Sequence, residues 1–104
     1  MTRVLLAALL LVPVLAFAHG EAGWIQHNPN YLTATGVHCC GEQDCRRMTP
    51  EEVAEVEITS EGYVVDGKAF PFDERGLYWS IDAGWWWCRY TGLPVRCLFA
   101  PQGV

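Results

Sequence analysis

Apolar positions fall into one long block near the start of the chain and several short alternating ones after it. Val4 to Ala16 is almost wholly apolar, follows Arg3, and runs into Ala16-Phe17-Ala18. A positive start, an apolar run too short to span a bilayer and an A-x-A site predict a secretory signal peptide over residues 1–18. The rest, 19–104, is expected to form a single small disulfide-stabilised domain. Residues 19–38 read as an irregular arm, because Gly20, Gly23, Asn28-Pro29-Asn30 and Gly36 interrupt any period. Trp24, Ile25, Tyr31 and Leu32 give that arm apolar anchors. Residues 39–48 read as a compact cysteine loop.

Thr49-Pro50-Glu51-Glu52 predicts a short helix over 49–55, with Thr49 as N-cap, Pro50 in the first turn and Glu52 closing a capping box. Val56-Glu57-Ile58-Thr59 alternates as a strand does. Asp66-Gly67, between Tyr63-Val64-Val65 and Lys68 to Phe72, is a hairpin signal. Residues 73–83 read as polar and turn-like. Gly84 to Tyr90 and Val95 to Ala100 are expected as the last two strands, joined through Thr91-Gly92-Leu93-Pro94. The expected fold class is mostly β with a short helix, a small α+β domain. Its core is an antiparallel meander of about five strands over residues 56–100, stapled by disulfides.

Charge narrows the partners. The chain has a formal net charge of −5, and loss of Arg3 with the leader makes the remainder more acidic still. An acidic surface repels backbone phosphates, so nucleic acid is not an expected partner. No transmembrane segment is expected after leader removal.

The five cysteines are Cys39, Cys40, Cys45, Cys88 and Cys97. An odd count leaves one thiol outside internal bridges. Cys39 and Cys40 are adjacent, which disfavours a bridge between them, and one of this pair is the candidate odd thiol. A turn centred between Gly92 and Leu93 sets Cys88 opposite Cys97, Arg89 opposite Arg96 and Tyr90 opposite Val95. Directly opposed residues share a face, so a Cys88–Cys97 bridge is expected. Closing that short loop is worth about 2.7 kcal/mol against about 4.0 for a Cys45–Cys88 bridge. The gap is smaller than ordinary strain, and geometry is taken to decide. Cys45 then pairs with Cys39 or Cys40, and the expected bridging set is Cys88, Cys97, Cys45 and Cys40.

Several blocks recur in a fixed order: His38-Cys39-Cys40-Gly41 with Asp44-Cys45, Gly62-Tyr63-Val64, Phe70-Pro71-Phe72, Trp87-Cys88-Arg89, and Arg96-Cys97-Leu98-Phe99-Ala100-Pro101. Over most of residues 38–101 the chain resembles a family of small exported, cysteine-containing bacterial proteins of unknown function. The resemblance implies a bacterial, exported location, periplasmic or extracellular. It implies no catalytic or binding residue. Cys-Cys-x-x-x-x-Cys is similar to the active-site loop of secreted phospholipases A2. Gln43 stands where that chemistry needs a histidine base, and the cysteine spacing is shorter by one, so that reading is rejected.

The last hairpin has two faces. Trp86, Cys88, Tyr90, Val95, Cys97 and Phe99 make an apolar one that needs burial, with Tyr63 or Val64 as the expected neighbour of Trp86. Trp85, Trp87, Arg89, Pro94, Arg96 and Leu98 make an aromatic and basic one. Trp and Arg are frequent interface anchors, and Trp85, Trp87, Arg89 and Arg96 are the candidate binding residues. The competing account is that the arm covers this face through Trp24 and Tyr31 as a second small core.

Three histidines offer a metal alternative. His19 at the new N-terminus would present an amine and an imidazole together, and with His27 or His38 would resemble the histidine brace of copper proteins. A frayed terminus is the simpler account. His38 with the nearby cysteines fits soft-metal ligation, but thiols in an oxidising compartment are mostly bridged. No G-x-S-x-G, H-E-x-x-H or P-loop occurs, so no catalytic residue and no cofactor are assigned. The leading expectation is an exported binding protein of the bacterial envelope whose partner is an envelope protein or a cell-wall glycan. A copper- or other metal-binding protein and a thiol-dependent enzyme are the alternatives.

Overall fold

The computed structural model describes residues 21–102. The expected leader and His19 lie outside them. The described chain is mostly β, with two short helices and two disulfides.

The arm opens with a one-turn helix, α1 (Gly23–Gln26), where an irregular segment was expected. It buries Ile25 and leads to an isolated bridge between Leu32 and His38. Strand β1 (Cys45–Arg47) follows inside the expected cysteine loop. Helix α2 (Pro50–Ala54) has the predicted start: Thr49 accepts from the Glu52 amide, and the Glu52 side chain accepts from the Thr49 amide. Strands β2 (Glu57–Ile58), β3 (Gly62–Val65) and β4 (Lys68–Pro71) form a three-stranded antiparallel sheet in that order. The β3–β4 turn is Asp66-Gly67, with φ of 51° and 77°. Both residues are left-handed, which is the turn that matches strand twist and favours Asp-Gly.

The remaining strands, β5 (Leu77–Trp79), β6 (Trp86–Cys88) and β7 (Cys97–Ala100), join β1 in a second sheet of order β1-β6-β7-β5. The single antiparallel meander is therefore corrected to two sheets. Moreover β5 runs parallel to β7, pairing Leu77 with Leu98 and Trp79 with Ala100. The physical reason is β1: by pairing with β6 it takes the edge that a continuing meander would have used.

This four-stranded sheet separates two cores. On one face Trp86, Phe99, Ile25, Ala22 and all four bridged cysteines cluster, with Trp24, Tyr31 and Tyr78 against them. On the other Trp87, Leu98, Ala100, Val95 and Met48 meet Tyr63, Val65 and Phe70 of the small sheet. Trp86 is core, as expected, but its neighbour is Trp24, at 5.5 Å between rings, and not Tyr63 or Val64.

The expected register holds, with Cys88 paired to Cys97 and Trp86 to Phe99. The expected bridge does not form. The disulfides are Cys39–Cys97 and Cys45–Cys88, and Cys40 is the free thiol. Cys88 lies in a central strand and is directly opposite Cys45 on β1 as well as Cys97 on β7. It bonds toward β1, and Cys97 turns to the arm. Both bridges close longer loops, each worth about 4 kcal/mol in the chain-entropy account.

Candidate functional site

β1 and β6 build a cleft on the outer side of the second core. Their register pairs Arg46 with Trp87 and Arg47 with Trp86. Successive side chains alternate between the faces of a strand, so the two arginines separate. Arg47 lies over Trp86, 4.7 Å from its ring centroid, and pairs with Asp82. Arg46 lies over Trp87 at 5.3 Å. Arg89, two residues beyond Trp87 and just past the end of β6, places its guanidinium 5.1 Å from that same ring. Two cations thus share one indole, an arrangement the ring quadrupole favours.

The cleft over Trp87 encloses about 280 Å³, and Asp44, Glu52 and the Thr91–Gly92 loop close its sides. Glu52 meets Arg46 in a two-bond fork, at 2.8 and 2.7 Å. That hydrogen bonding holds the Glu52 carboxyl down at about 2, against the ordinary 4.5. Arg89 reaches Asp66 at the β3–β4 turn, 3.1 Å away. Lys68 donates to the Val95 carbonyl at 2.8 Å, fixing the same turn against the large sheet. The small sheet therefore sets where Arg89 sits.

The four expected binding residues do not form one strip. Trp87 and Arg89 are together in this cleft. Trp87 is only 6% exposed and Leu98 is fully buried, so most of the aromatic face is core. The cover is the small sheet and Met48; the arm packs on the opposite face. Trp85 is half-buried, edge-on to Tyr63 at 5.2 Å, in a separate apolar groove beside α2. Arg96 is elsewhere: the β6–β7 ladder stops at Cys88–Cys97 and the strict alternation ends with it. Val95 turns into the second core, while Arg96 turns to the arm. Arg46 and Asp44 were missed because residues 39–48 show no strand alternation and read as a loop.

Arg96 organises a second small site around the free thiol. Its guanidinium donates to Cys40 Sγ at 2.9 Å and to the His38 carbonyl at 3.1 Å, and it lies 4.8 Å from the Tyr90 ring centroid. The Tyr90 hydroxyl is 3.4 Å from the same sulfur. That contact, followed by the charge at Cys40, raises the Tyr90 phenol above its ordinary value. Cys40, expected in a bridge, is instead half-exposed beside a shallow cleft of about 330 Å³.

Among the described residues, no three His, Cys, Asp or Glu side chains gather as a metal site. His38 has both ring nitrogens engaged: Nε2 donates to the Asn28 carbonyl at 2.9 Å, and Nδ1 accepts from the Cys40 amide at 3.1 Å. His27 is exposed on the rim of a groove it shares with His38. No helix of the described residues is long and apolar enough to cross a membrane.

No family model, curated protein or solved structure matches the chain.

Proposed function

We propose that this is an exported binding protein of the bacterial envelope and that the cleft over Trp87 is its contact site. The observation that carries the reading is Arg89. Its guanidinium is held by an indole and one carboxylate, and the residue lines the cleft. An arginine fixed on an aromatic platform loses little freedom on binding, which is why such pairs anchor interfaces. The leader, the two disulfides and the resemblance to small exported proteins support the location. The partner is an envelope protein or a wall component.

A photo-crosslinker at Thr91, on the rim of the cleft, tests this in the exported protein. Adducts from envelope extract should depend on Arg89 and Arg46 and persist in Arg75→Ala, a residue that bonds the Ala34 carbonyl and does not line the cleft. Adducts unchanged in Arg89→Ala and Arg46→Ala would remove the cleft from the reading. The intact mass of the exported protein should correspond to a chain starting at His19.

A second reading, a thiol-dependent activity, is supported by the contact between Arg96 and the Cys40 sulfur. Oxidised glutathione should then add one glutathionyl group to Cys40 by exchange, releasing one glutathione. An unmodified protein after prolonged incubation ends this reading.

A further inference from the structure

The cleft over Trp87 holds charges of both signs, and they are not equally committed. Arg46 is committed to Glu52 by a two-bond fork and donates a further bond to the Arg47 carbonyl. Arg89 makes one ion pair, to an Asp66 side chain that is 58% exposed. Asp44 lines the same cleft, half-buried, and its carboxylate has no ion pair or hydrogen bond among the described residues. The Arg89 amide donates to the Asp44 carbonyl at 2.8 Å, so the two side chains spring from directly paired backbone. Trp87 adds an independent sign. It is more than nine-tenths buried, it lines the cleft, and its indole N–H has no acceptor. Buried donors are nearly always paired, and this unpaired one belongs to the residue that floors the cleft. Trp24 and Ser80 also bury unpaired polar atoms, but neither lines this cleft.

We infer that the cleft binds a free amino acid or dipeptide as a zwitterion. The ligand carboxylate goes to Arg89 and its ammonium to Asp44, while Arg46 and Glu52 form the fixed wall. The inference rests on the binding reading above and names its ligand class. A carboxylate matches the guanidinium fork. A polyanion would meet Asp44, Glu52 and a chain of net charge −5. A neutral sugar would leave both ions unpaired, and the two guanidiniums already lie over the indole it would stack on. The volume of about 280 Å³ is at the small end for ligand pockets and fits one or two residues.

Calorimetric titration with alanyl-alanine tests this, alongside its C-terminal amide, its N-acetyl form, chitotriose and inorganic phosphate. Each blocked dipeptide should bind about tenfold or more weakly, the effect of losing one charge-assisted contact. Asp44→Asn should erase the discrimination against the N-acetyl form and keep that against the amide. Arg89→Gln should do the reverse, and Arg89→Lys should retain part of the preference. Near-ultraviolet circular dichroism checks that each variant is folded. The inference is overturned if both blocked forms bind as well as the zwitterion, if phosphate or chitotriose binds more tightly, or if no dipeptide binds at about 10 mM, beyond the millimolar limit of specific affinity. If dipeptides fail while crosslinking at Thr91 still depends on Arg89 and Arg46, the zwitterion is wrong and the binding site stands. If crosslinking also loses that dependence, both fall.

Discussion

The two faces of the central sheet are held by different means. The arm face carries both disulfides and a network of edge-on aromatic rings: Trp24 lies 5.0 Å from Phe99 and 5.5 Å from Trp86, and Tyr31 lies 5.0 Å from both Phe99 and Tyr78. Its backbone contributes little ladder: the Leu32–His38 bridge and isolated bonds such as the pair at Tyr78, whose hydroxyl accepts from the Leu32 amide and donates to the Leu32 carbonyl. The opposite face has no disulfide among the described residues. It is closed by a complete three-stranded sheet and aliphatic packing on Trp87. A segment without regular hydrogen bonding gains little from each residue it orders, so covalent closure offsets its entropy. A hairpin with matched strands and a favoured turn needs no such closure. The candidate cleft is built on the face that closes without cysteines.

That contrast can be broken most severely at Trp86. Trp86→Ala removes one of the two rings that join Trp24 to the sheet and should cost about 3–5 kcal/mol, enough to unfold a marginal domain of this size. An unchanged melting temperature would show that the arm core does not depend on it.

The next largest effect separates the faces directly. Replacing Cys39 and Cys97 by alanine should cost about 2–5 kcal/mol. Hydrogen exchange should then rise through residues 22–39 while the β3–β4 amides stay protected. Uniform exchange across both would mean that the two faces unfold as one unit.

Two glycines allow a matched comparison. A Cβ on Gly41 would lie 2.3 Å from the Gln26 side chain and 2.9 Å from its backbone, where the arm crosses the cysteine loop. A Cβ on Gly62 would lie 2.2 Å from the Phe70 carbonyl oxygen, inside the β3–β4 ladder. Each Gly→Ala change should cost about 1–3 kcal/mol by overpacking. Gly62→Ala should also shift ligand affinity, because it strains the sheet whose turn carries Asp66, whereas any shift in Gly41→Ala would act through Asp44, whose amide donates to the Gly41 carbonyl. Parent-like affinity in Gly62→Ala would uncouple the small sheet from the cleft.

The smallest expected effect is electrostatic. Folding lowers the Glu52 carboxyl to about 2 from an ordinary 4.5. A lowered carboxyl stabilises the fold above its unfolded value, and that contribution is lost as pH falls from about 4.5 to about 2. Arg46 is half-exposed, so solvent screening limits the gain to under about 1 kcal/mol. Urea midpoints of the parent should fall toward those of Glu52→Gln across that window. A constant difference would assign the effect to packing.

Local signals were legible wherever the chemistry was local. The Thr49 capping box and the Asp66-Gly67 turn need only residues a few positions apart, and both formed as read. The β6–β7 register was legible too, because one turn sets it. Strand β5 was not: Leu77-Tyr78-Trp79 is three residues long and takes its place only from β7 beside it. Half of the cleft was visible as Trp87 and Arg89, which the two-residue period of the expected strand puts on one face, although β6 itself ends at Cys88. Arg46 and Asp44 stayed hidden because β1 is a strand only by virtue of pairing with β6.

By itself the sequence determined the class of the domain, the helix start, the hairpin turn, the odd thiol count and the two faces around Trp86 and Trp87. Each of these follows from spacing, composition or a turn of fixed geometry. The tertiary structure decided the disulfide partners, the split into two sheets and which arginine shares the cleft. The reason is that a central strand has two flanks. Cys88 meets Cys45 on one side and Cys97 on the other, and no local rule ranks a neighbour 43 residues away against one across a turn.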